Sequence, residues 1–245
     1  MKNVAVIICA AGAGKRFGGK TKKPFVKIGG RAVFLRSVDF FVNHEAVKQI
    51  ILAISPEDEE SIKINFGATL GFCGVQVVHG GAERFETVEN ALKEVREDID
   101  LVAVHDSVRC CLKDEWVSGV FKKAGETGAA MLACPVVATI KRVEGDKIVE
   151  TVDRRGLYEA QTPQVFEAGL LRRAYEKLHE MDKAAISDDA QLVEALGEAV
   201  HVVETDSTNV KITKQADMEI AESVIKARDK AKVKKTGSPF FEAEW

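Results

Sequence analysis

Residues 10–25 read AAGAGKRFGGKTKKPF, a stretch that sets four glycines beside five lysines and arginines. Glycines let backbone amides come close to a phosphate, and the cations balance its charge. Two different devices fit this stretch. From Gly14 to Thr21 it matches G-x-x-x-x-G-K-[ST], the phosphate loop of ATPases and GTPases. From Ala10 to Lys23 it matches the glycine-rich loop of a nucleotidyltransferase, with Arg16 and Lys23 trailing as fixed charges. Three further stretches carry chemistry: HGGAERFET (79–87), VHDSVR (104–109) with Asp106 and Arg109, and NVKIT (209–213) with Lys211.

The elements that must position these groups alternate along the chain. VAVIICA (4–10), VKQIILAIS (47–55), VQVVHG (75–80), LVAVHD (101–106) and AAMLACPVV (129–137) are apolar, β-rich and bounded by glycine or polar residues. Segments 31–43, 84–96 and 114–127 repeat apolar residues at spacings of three and four, as helices do. Continuous apolar strands alternating with helices predict an α/β fold: a mostly parallel twisted sheet with helices on both faces. In such sheets ligands sit beyond the carboxyl ends of the strands.

At 138–154 the pattern changes. Two β-prone arms flank Gly145 and Asp146, with Lys141, Arg142, Asp153 and Arg154 spread over both faces, which predicts a projecting hairpin. Ser187 reads as an N-cap with Asp188 and Asp189 in the first helical turn, and Gly197 closes that helix. AVHVVE gives another strand, and a charged helix follows from about Ala216. The chain reads as one domain over 1–245 with the 138–154 arm and a frayed tail from about residue 234.

Bulk properties narrow the function. The 245 residues are 46% hydrophobic, enough for a substantial core. A formal net charge of −3 gives no general basic field, so no nucleic-acid partner is expected and anions must be met by local clusters of cations. The apolar run at the N-terminus is too short to span a bilayer and carries no signal-cleavage pattern, so no membrane contact and a cytoplasmic location are expected. Cys9, Cys73, Cys110, Cys111 and Cys134 have no C-x-x-C spacing and read as reduced thiols.

The surroundings decide between the two loops. In a phosphate loop, Lys20 and Thr21 would open a helix, and Pro24 would fall in its first turns, where it removes a donor and clashes at a cost of about 3 kcal/mol. A dinucleotide fingerprint fails because Phe17 stands where the third glycine is needed. A strand running into CAAGAGKR, with small residues for close approach and cations beside them, favours a nucleotidyltransferase.

At these residues the chain closely resembles the cytidylyltransferases that make 4-diphosphocytidyl-2-C-methyl-D-erythritol in non-mevalonate isoprenoid synthesis. The resemblance runs almost end to end, through AAGAGKRF, KKPFVKIGG, ISPED, VVHGGAERFETV, VHDSVR, PVVATIKR, TVDRRGLYEAQTPQVF and NVKIT, in the family's order. It implies a Rossmann-like nucleotidyltransferase fold, a β-arm exchanged across a homodimer, and CTP and a polyol phosphate as substrates. Attack of the acceptor phosphate on the α-phosphorus of CTP would expel pyrophosphate, with Mg2+ bound mainly through the CTP phosphates and no dedicated metal ligands.

The resemblance also implies residue roles. Arg16, Lys23 and Lys211 would grip the phosphates as the catalytic cations. Ala10, Ala11, Gly12, Gly14, Gly80, Gly81, Thr87 and Asp106 would bind the nucleotide, Gly80 and Gly81 through backbone groups at the edge of cytosine and Thr87 through its hydroxyl. Asp106, Arg109, Thr139, Arg154 and Thr162 would bind the acceptor, with Thr139 and Arg154 supplied by the neighbouring subunit. His105 reads as a buried, hydrogen-bonded residue and not a base; Arg84 reads as a packing or pairing residue.

The chain departs from the family's usual pattern at Pro24, Ala82, Ser107, Val108, Cys110 and Ala138, where Gln, an acidic residue, Ala-Ala, Pro and Asp are usual in turn. None of these removes a phosphate-gripping cation. They bear on the acceptor, for which ribitol 5-phosphate is the alternative: RFET leans towards it and DRRGLY towards methylerythritol phosphate. A nucleotide-binding switch of the phosphate-loop type is the reading from a different class.

Overall fold

The computed structural model describes residues 2–12, 22–183 and 186–235. In chain order its elements are β1 (Val4–Cys9), β2 (Lys27–Ile28), β3 (Arg31–Ala32), α1 (Val33–Val42), β4 (Val47–Ile54), α2 (Glu59–Phe72), β5 (Val75–His79), α3 (Arg84–Leu92) and β6 (Leu101–Asp106). There follow α4 (Asp114–Thr127), β7 (Ala129–Pro135), β8 (Ile140–Glu144), β9 (Lys147–Val152), β10 (Tyr158–Glu167), α5 (Ala168–Glu176), α6 (Asp189–Glu194), β11 (His201–Glu204) and α7 (Gln215–Lys235). Seven strands form one sheet in the order β11-β7-β10-β6-β1-β4-β5.

Side-chain alternation along β1 shows how the layers are built. Val4, Val6 and Ile8 face a layer made by α1, α2 and α4, where Phe34, Phe41, Ile62, Trp116 and Val120 pack. Ala5 and Ile7 face the opposite layer, made by α3, α5 and α6 with Phe85, Val88, Leu171 and Val193. Both faces of the strand are therefore apolar, as a sheet covered on both sides requires. A smaller cluster of Ile28, Val33, Val108, Cys111, Ile212 and Ala221 seats α7 against the loop after β6.

The sheet is mostly parallel, as the apolar runs predict, with one exception. β10 lies antiparallel between β6 and β7, at the centre of the sheet. The sequence reading does not find this strand, because Pro163 argues against an interior strand and Gln161, Thr162 and Gln164 break the apolar pattern. The structure accommodates both features. The register against β7 shifts between Ala160 and Gln164, and all three polar side chains are buried with hydrogen-bond partners.

One local expectation is corrected. The N-cap of α6 is Asp188, not Ser187: the Asp188 carboxylate accepts from the Gln191 amide at 3.1 Å, whereas the Ser187 hydroxyl bonds the Gln191 side chain. Asp189 lies in the first turn of that helix, as expected, and is buried, 1% exposed.

β8 and β9 pair only with each other and turn at Gly145, whose φ of +61° favours glycine. This hairpin lies where the sequence places it. Its apolar side chains Val143, Ile148 and Val149 are exposed. The tail from residue 236 lies outside the described residues.

Candidate active site

The chain runs outward from β1 through β4 to β5 and then returns to the other side of β1 as β6. Such a reversal opens a crevice at the carboxyl ends of the two strands. A cleft lies there, walled by Ala10, Ala11 and Gly12 after β1, by Asp106 to Val108 at the end of β6, and by Lys23, Gly81, Thr87 and Lys211. Of the residues assigned to phosphate or nucleotide, these are the ones the fold brings together. Arg16 and Gly14 lie outside the described residues, as does the rest of 13–21.

The floor of the cleft is a line of alternating charge. Lys211 Nζ lies 2.6 Å from Asp106 Oδ2. Arg84 Nε donates to Asp106 Oδ1 at 3.2 Å, and Arg84 Nη1 donates to Asp189 Oδ2 at 2.7 Å. Tyr175 closes the line, its hydroxyl donating to Asp189 Oδ1 at 2.6 Å. Burial alone would raise the Asp106 carboxyl, but Arg84 and Lys211 overcome it and hold the group well below the usual carboxylate range. Burial likewise works against the Arg84 charge, and Asp189 and Asp106 more than offset it, raising the guanidinium well above its ordinary value.

Sequence reasoning assigns no role in the site to Arg84 or Asp189. The signal for Arg84 is its position, at the first residue of α3 directly after the glycine pair. Nothing in the sequence marks Asp189, which resembles any acidic residue at a helix start and reaches Arg84 only because β10 and α6 fold beneath it. There Gln164 Oε1 accepts from the Asp189 amide at 3.0 Å.

The glycines divide into two kinds. A Cβ on Gly80 would meet Ala11 Cβ at 2.6 Å and Thr87 Oγ1 at 2.8 Å, and one on Gly81 would meet Glu86 Cβ at 2.3 Å. Those two are demanded by the protein's own packing, which presses the entry to α3 against the end of β1. A Cβ on Gly12 meets no described residue within 4 Å, so none of them requires a glycine there. The Gly80 amide donates to Ile54 O and the Gly81 amide to Thr87 Oγ1, which itself donates to Glu83 O. The Gly80 and Gly81 amides and the Thr87 hydroxyl proton are thus engaged internally.

Thr162, His105 and Arg109 brace the cleft from behind. Thr162 Oγ1 accepts the Asp106 amide at 3.0 Å and lies 3.1 Å from His105 Nδ1. His105 Nε2 lies 3.1 Å from the Arg109 carbonyl. A carbonyl only accepts, so Nε2 carries the proton, and Thr162 donates to Nδ1. Burial pushes His105 down to about 3, although the Asp106 carboxylate pulls the other way. The ring is a neutral strut at physiological pH, as the sequence reading expects. Arg109 donates to the carbonyls of Asn209 and Ala160, and its Nε has no hydrogen-bond partner among the described residues. Arg109 and Thr162 therefore tie β10 and the 209–213 loop to the end of β6.

Thr139 and Arg154 stand exposed at the base of the hairpin, outside the cleft wall, with Arg154 donating to the Val137 carbonyl. Burial pushes the Cys9 thiol up to about 12, so it is no nucleophile at neutral pH. Among the described residues no three His, Cys, Asp or Glu side chains gather as a metal cage. Both Asp106 oxygens already accept from cations. This donor set fits a hard cation carried by a ligand's own oxygens better than one caged by protein.

Two outcomes follow from this geometry. Gly80→Ala is expected to lower the unfolding free energy by about 1–3 kcal/mol, whereas Gly12→Ala leaves it within about 0.5 kcal/mol, in urea titrations of the two variants. Below pH 6.5 the unfolded chain protonates His105 while the folded chain stays neutral down to about pH 3, so stability falls with pH through that window. His44, also lowered by burial, adds to the fall, and the contribution of Asp106 is lost only below the ordinary carboxylate value of 3.8. His105→Gln should reduce the slope between pH 6 and 4 by up to about 1.4 kcal/mol per pH unit.

Comparison with known proteins identifies the family. The family model described as IspD, 2-C-methyl-D-erythritol 4-phosphate cytidylyltransferase, matches residues 4–227. The chain is 40% identical to the 2-C-methyl-D-erythritol 4-phosphate cytidylyltransferase of Endomicrobium trichonymphae over 93% of this chain and 100% of that one. It is 39% identical to the protein of the same name from Rhodopirellula baltica, over 91% of this chain and 95% of that one. The crystal structure of the Thermus thermophilus protein of that name superposes with a TM-score of 0.76 at 32% identity, covering 91% of this chain and 99% of that one. With a cleft built from the family's own motifs and a match over nearly the whole chain, the protein belongs to the 2-C-methyl-D-erythritol 4-phosphate cytidylyltransferase family.

Proposed function

We propose that this chain transfers the cytidylyl group of CTP to 2-C-methyl-D-erythritol 4-phosphate, releasing pyrophosphate and forming 4-diphosphocytidyl-2-C-methyl-D-erythritol for isoprenoid precursor synthesis. The observation that carries the reading is the cleft at the ends of β1 and β6, whose lining brings Lys23, Lys211 and Asp106 together with Gly12 and Gly81.

The chemistry needs no activated side chain. A phosphate monoester has a second pKa near 6, so the acceptor is mostly a dianion at pH 7 and already nucleophilic. One of its oxygens forms a bond to the α-phosphorus, and the bond from that phosphorus to the bridging oxygen breaks, with pyrophosphate leaving on the electron pair. The difficulty is to bring anions together and to stabilise the charge that gathers on the transferring group. Lys23 and Lys211 from this cleft, together with Arg16, supply that compensation. The loop carbonyls at Gly80 and Gly81 suit the exocyclic amine of cytosine, which only donates. Asp106 accepts from hydroxyls at the junction of ribose and acceptor.

Mg2+ would be held mainly by the nucleotide's own phosphates, with few protein ligands, and would neutralise part of the charge on the transferring and leaving groups. The acceptor side is completed by a second copy of the chain. The hairpin supports this, because it pairs only with itself, exposes Val143, Ile148 and Val149, and carries Thr139 and Arg154 away from its own cleft. Arg109 and Thr162 then shape the acceptor pocket chiefly by fixing Asp106 and the 209–213 loop. No helix among the described residues is long and apolar enough to cross a membrane. A cytoplasmic location, where CTP is available, fits this activity.

Pyrophosphate release in the presence of Mg2+, with CTP, UTP, ATP and GTP crossed against methylerythritol phosphate, ribitol 5-phosphate and no acceptor, tests the reading. Release is expected only with CTP plus methylerythritol phosphate; release with ribitol 5-phosphate instead would move the chain to another pathway, and acceptor-independent hydrolysis would reject transfer. Arg154→Ala should raise KM for the acceptor by about tenfold or more and leave CTP binding nearly unchanged. Mixing it with Lys211→Ala protomers should restore part of the activity, because one hybrid site then holds both native residues; equal loss of both substrates, or no recovery on mixing, contradicts the shared site.

A further inference from the structure

We propose that Arg84 is a positioning residue whose task is to keep Asp106 paired while Lys211 turns to the nucleotide, an inference that rests on the reading of the chain as a CTP-dependent transferase. Lys211 is the outermost member of the charge line, with its side chain 41% exposed against 10% for Asp106 and 1% for Asp189. In this structure it is committed to Asp106 Oδ2. A triphosphate entering the cleft competes with Asp106 for the same ammonium.

The outcome of that competition depends on what Lys211 leaves behind. A buried carboxylate stripped of its only cation is strongly unfavourable, because the uncompensated charge stays in a poorly solvated place. Arg84 removes the difficulty by holding Oδ1 through Nε. Asp106 therefore remains paired when its other oxygen is released, and Lys211 is free to move at modest cost.

Arg84 is itself prevented from following the phosphates. Its Nη1 is held by Asp189, and that carboxylate is fixed by the Tyr175 hydroxyl on its other oxygen. The Asp189 backbone amide is bound in turn to the Gln164 side chain of β10. Of the two cations on Asp106, the inner one is anchored into the sheet and the outer one faces the ligand.

A purely structural Arg84 would stabilise the fold and leave nucleotide affinity alone once the protein is folded. The positioning role predicts a different pattern, read by calorimetric titration of the full chain with CTP and Mg2+ alongside urea unfolding. Arg84→Gln should raise the Kd for CTP by about tenfold or more, since Lys211 now holds the unpaired Asp106. Adding Asp106→Asn to that variant removes the charge that detains Lys211, and should bring the Kd back to within about threefold of Asp106→Asn alone. If Arg84→Gln does not fold, Arg84→Lys, which cannot span both carboxylates, should still raise the Kd by about threefold or more. Wild-type affinity in a folded Arg84 variant, or a double variant more than about threefold weaker than Asp106→Asn alone, would overturn the inference. Failure of the unaltered chain to bind CTP would overturn the transferase reading and the inference with it.

Discussion

A carboxylate buried at the end of the central strand is the constraint around which this molecule is arranged. Asp106 sits where β6 leaves the sheet, and although it is buried its neighbours hold it ionised. A charge there persists only if it is paired and hydrogen-bonded. Arg84 and Lys211 supply the pairing, from elements that have no other reason to meet: the first turn of α3 and the loop before α7. The Thr162 hydroxyl, from a central antiparallel strand, holds its backbone amide. Burial, which would otherwise neutralise the group, strengthens each of these contacts by removing competing water.

The same economy appears in the glycines. Gly80 has no side chain because Ala11 and Thr87 crowd it, and Gly81 because Glu86 of α3 does; Arg84 leaves the same helix entry to reach Asp106. At Gly12 no described residue crowds the position of a Cβ. His105, with its tautomer set by the Arg109 carbonyl, belongs to the rigid side and performs no proton transfer.

Much of this was legible in the sequence, because parallel strands buried on both faces are continuous apolar runs, as in β1, β6, β7 and the second half of β4; β5, at the sheet edge, was marked by its β-branched residues. The hairpin was legible from the opposite signal, a β-prone stretch with charges on both faces. β10 was not, since its buried Gln161, Thr162 and Gln164 are satisfied by partners 24 to 57 residues away along the chain, or as near as the Thr205 hydroxyl in space, and no local pattern reports such partners. For the same reason Asp189 passed as a helix-start acid. Lys23, Asp106 and Lys211 could be placed in the site only through the motifs they share with a family; spacing alone cannot distinguish them from solvated charges.

The account turns on a division of labour between two cations that share one carboxylate. The most direct measurement is a crystal structure of this chain with CTP and Mg2+ bound, in which the contacts of Lys211 Nζ and Arg84 are read against those of the free protein. Lys211, 2.6 Å from Asp106 without ligand, is expected to have moved beyond ~4 Å and onto a phosphate oxygen, with Arg84 still bridging Asp106 and Asp189. A complex in which Lys211 remains on Asp106 while Arg84 swings to the phosphates would contradict it.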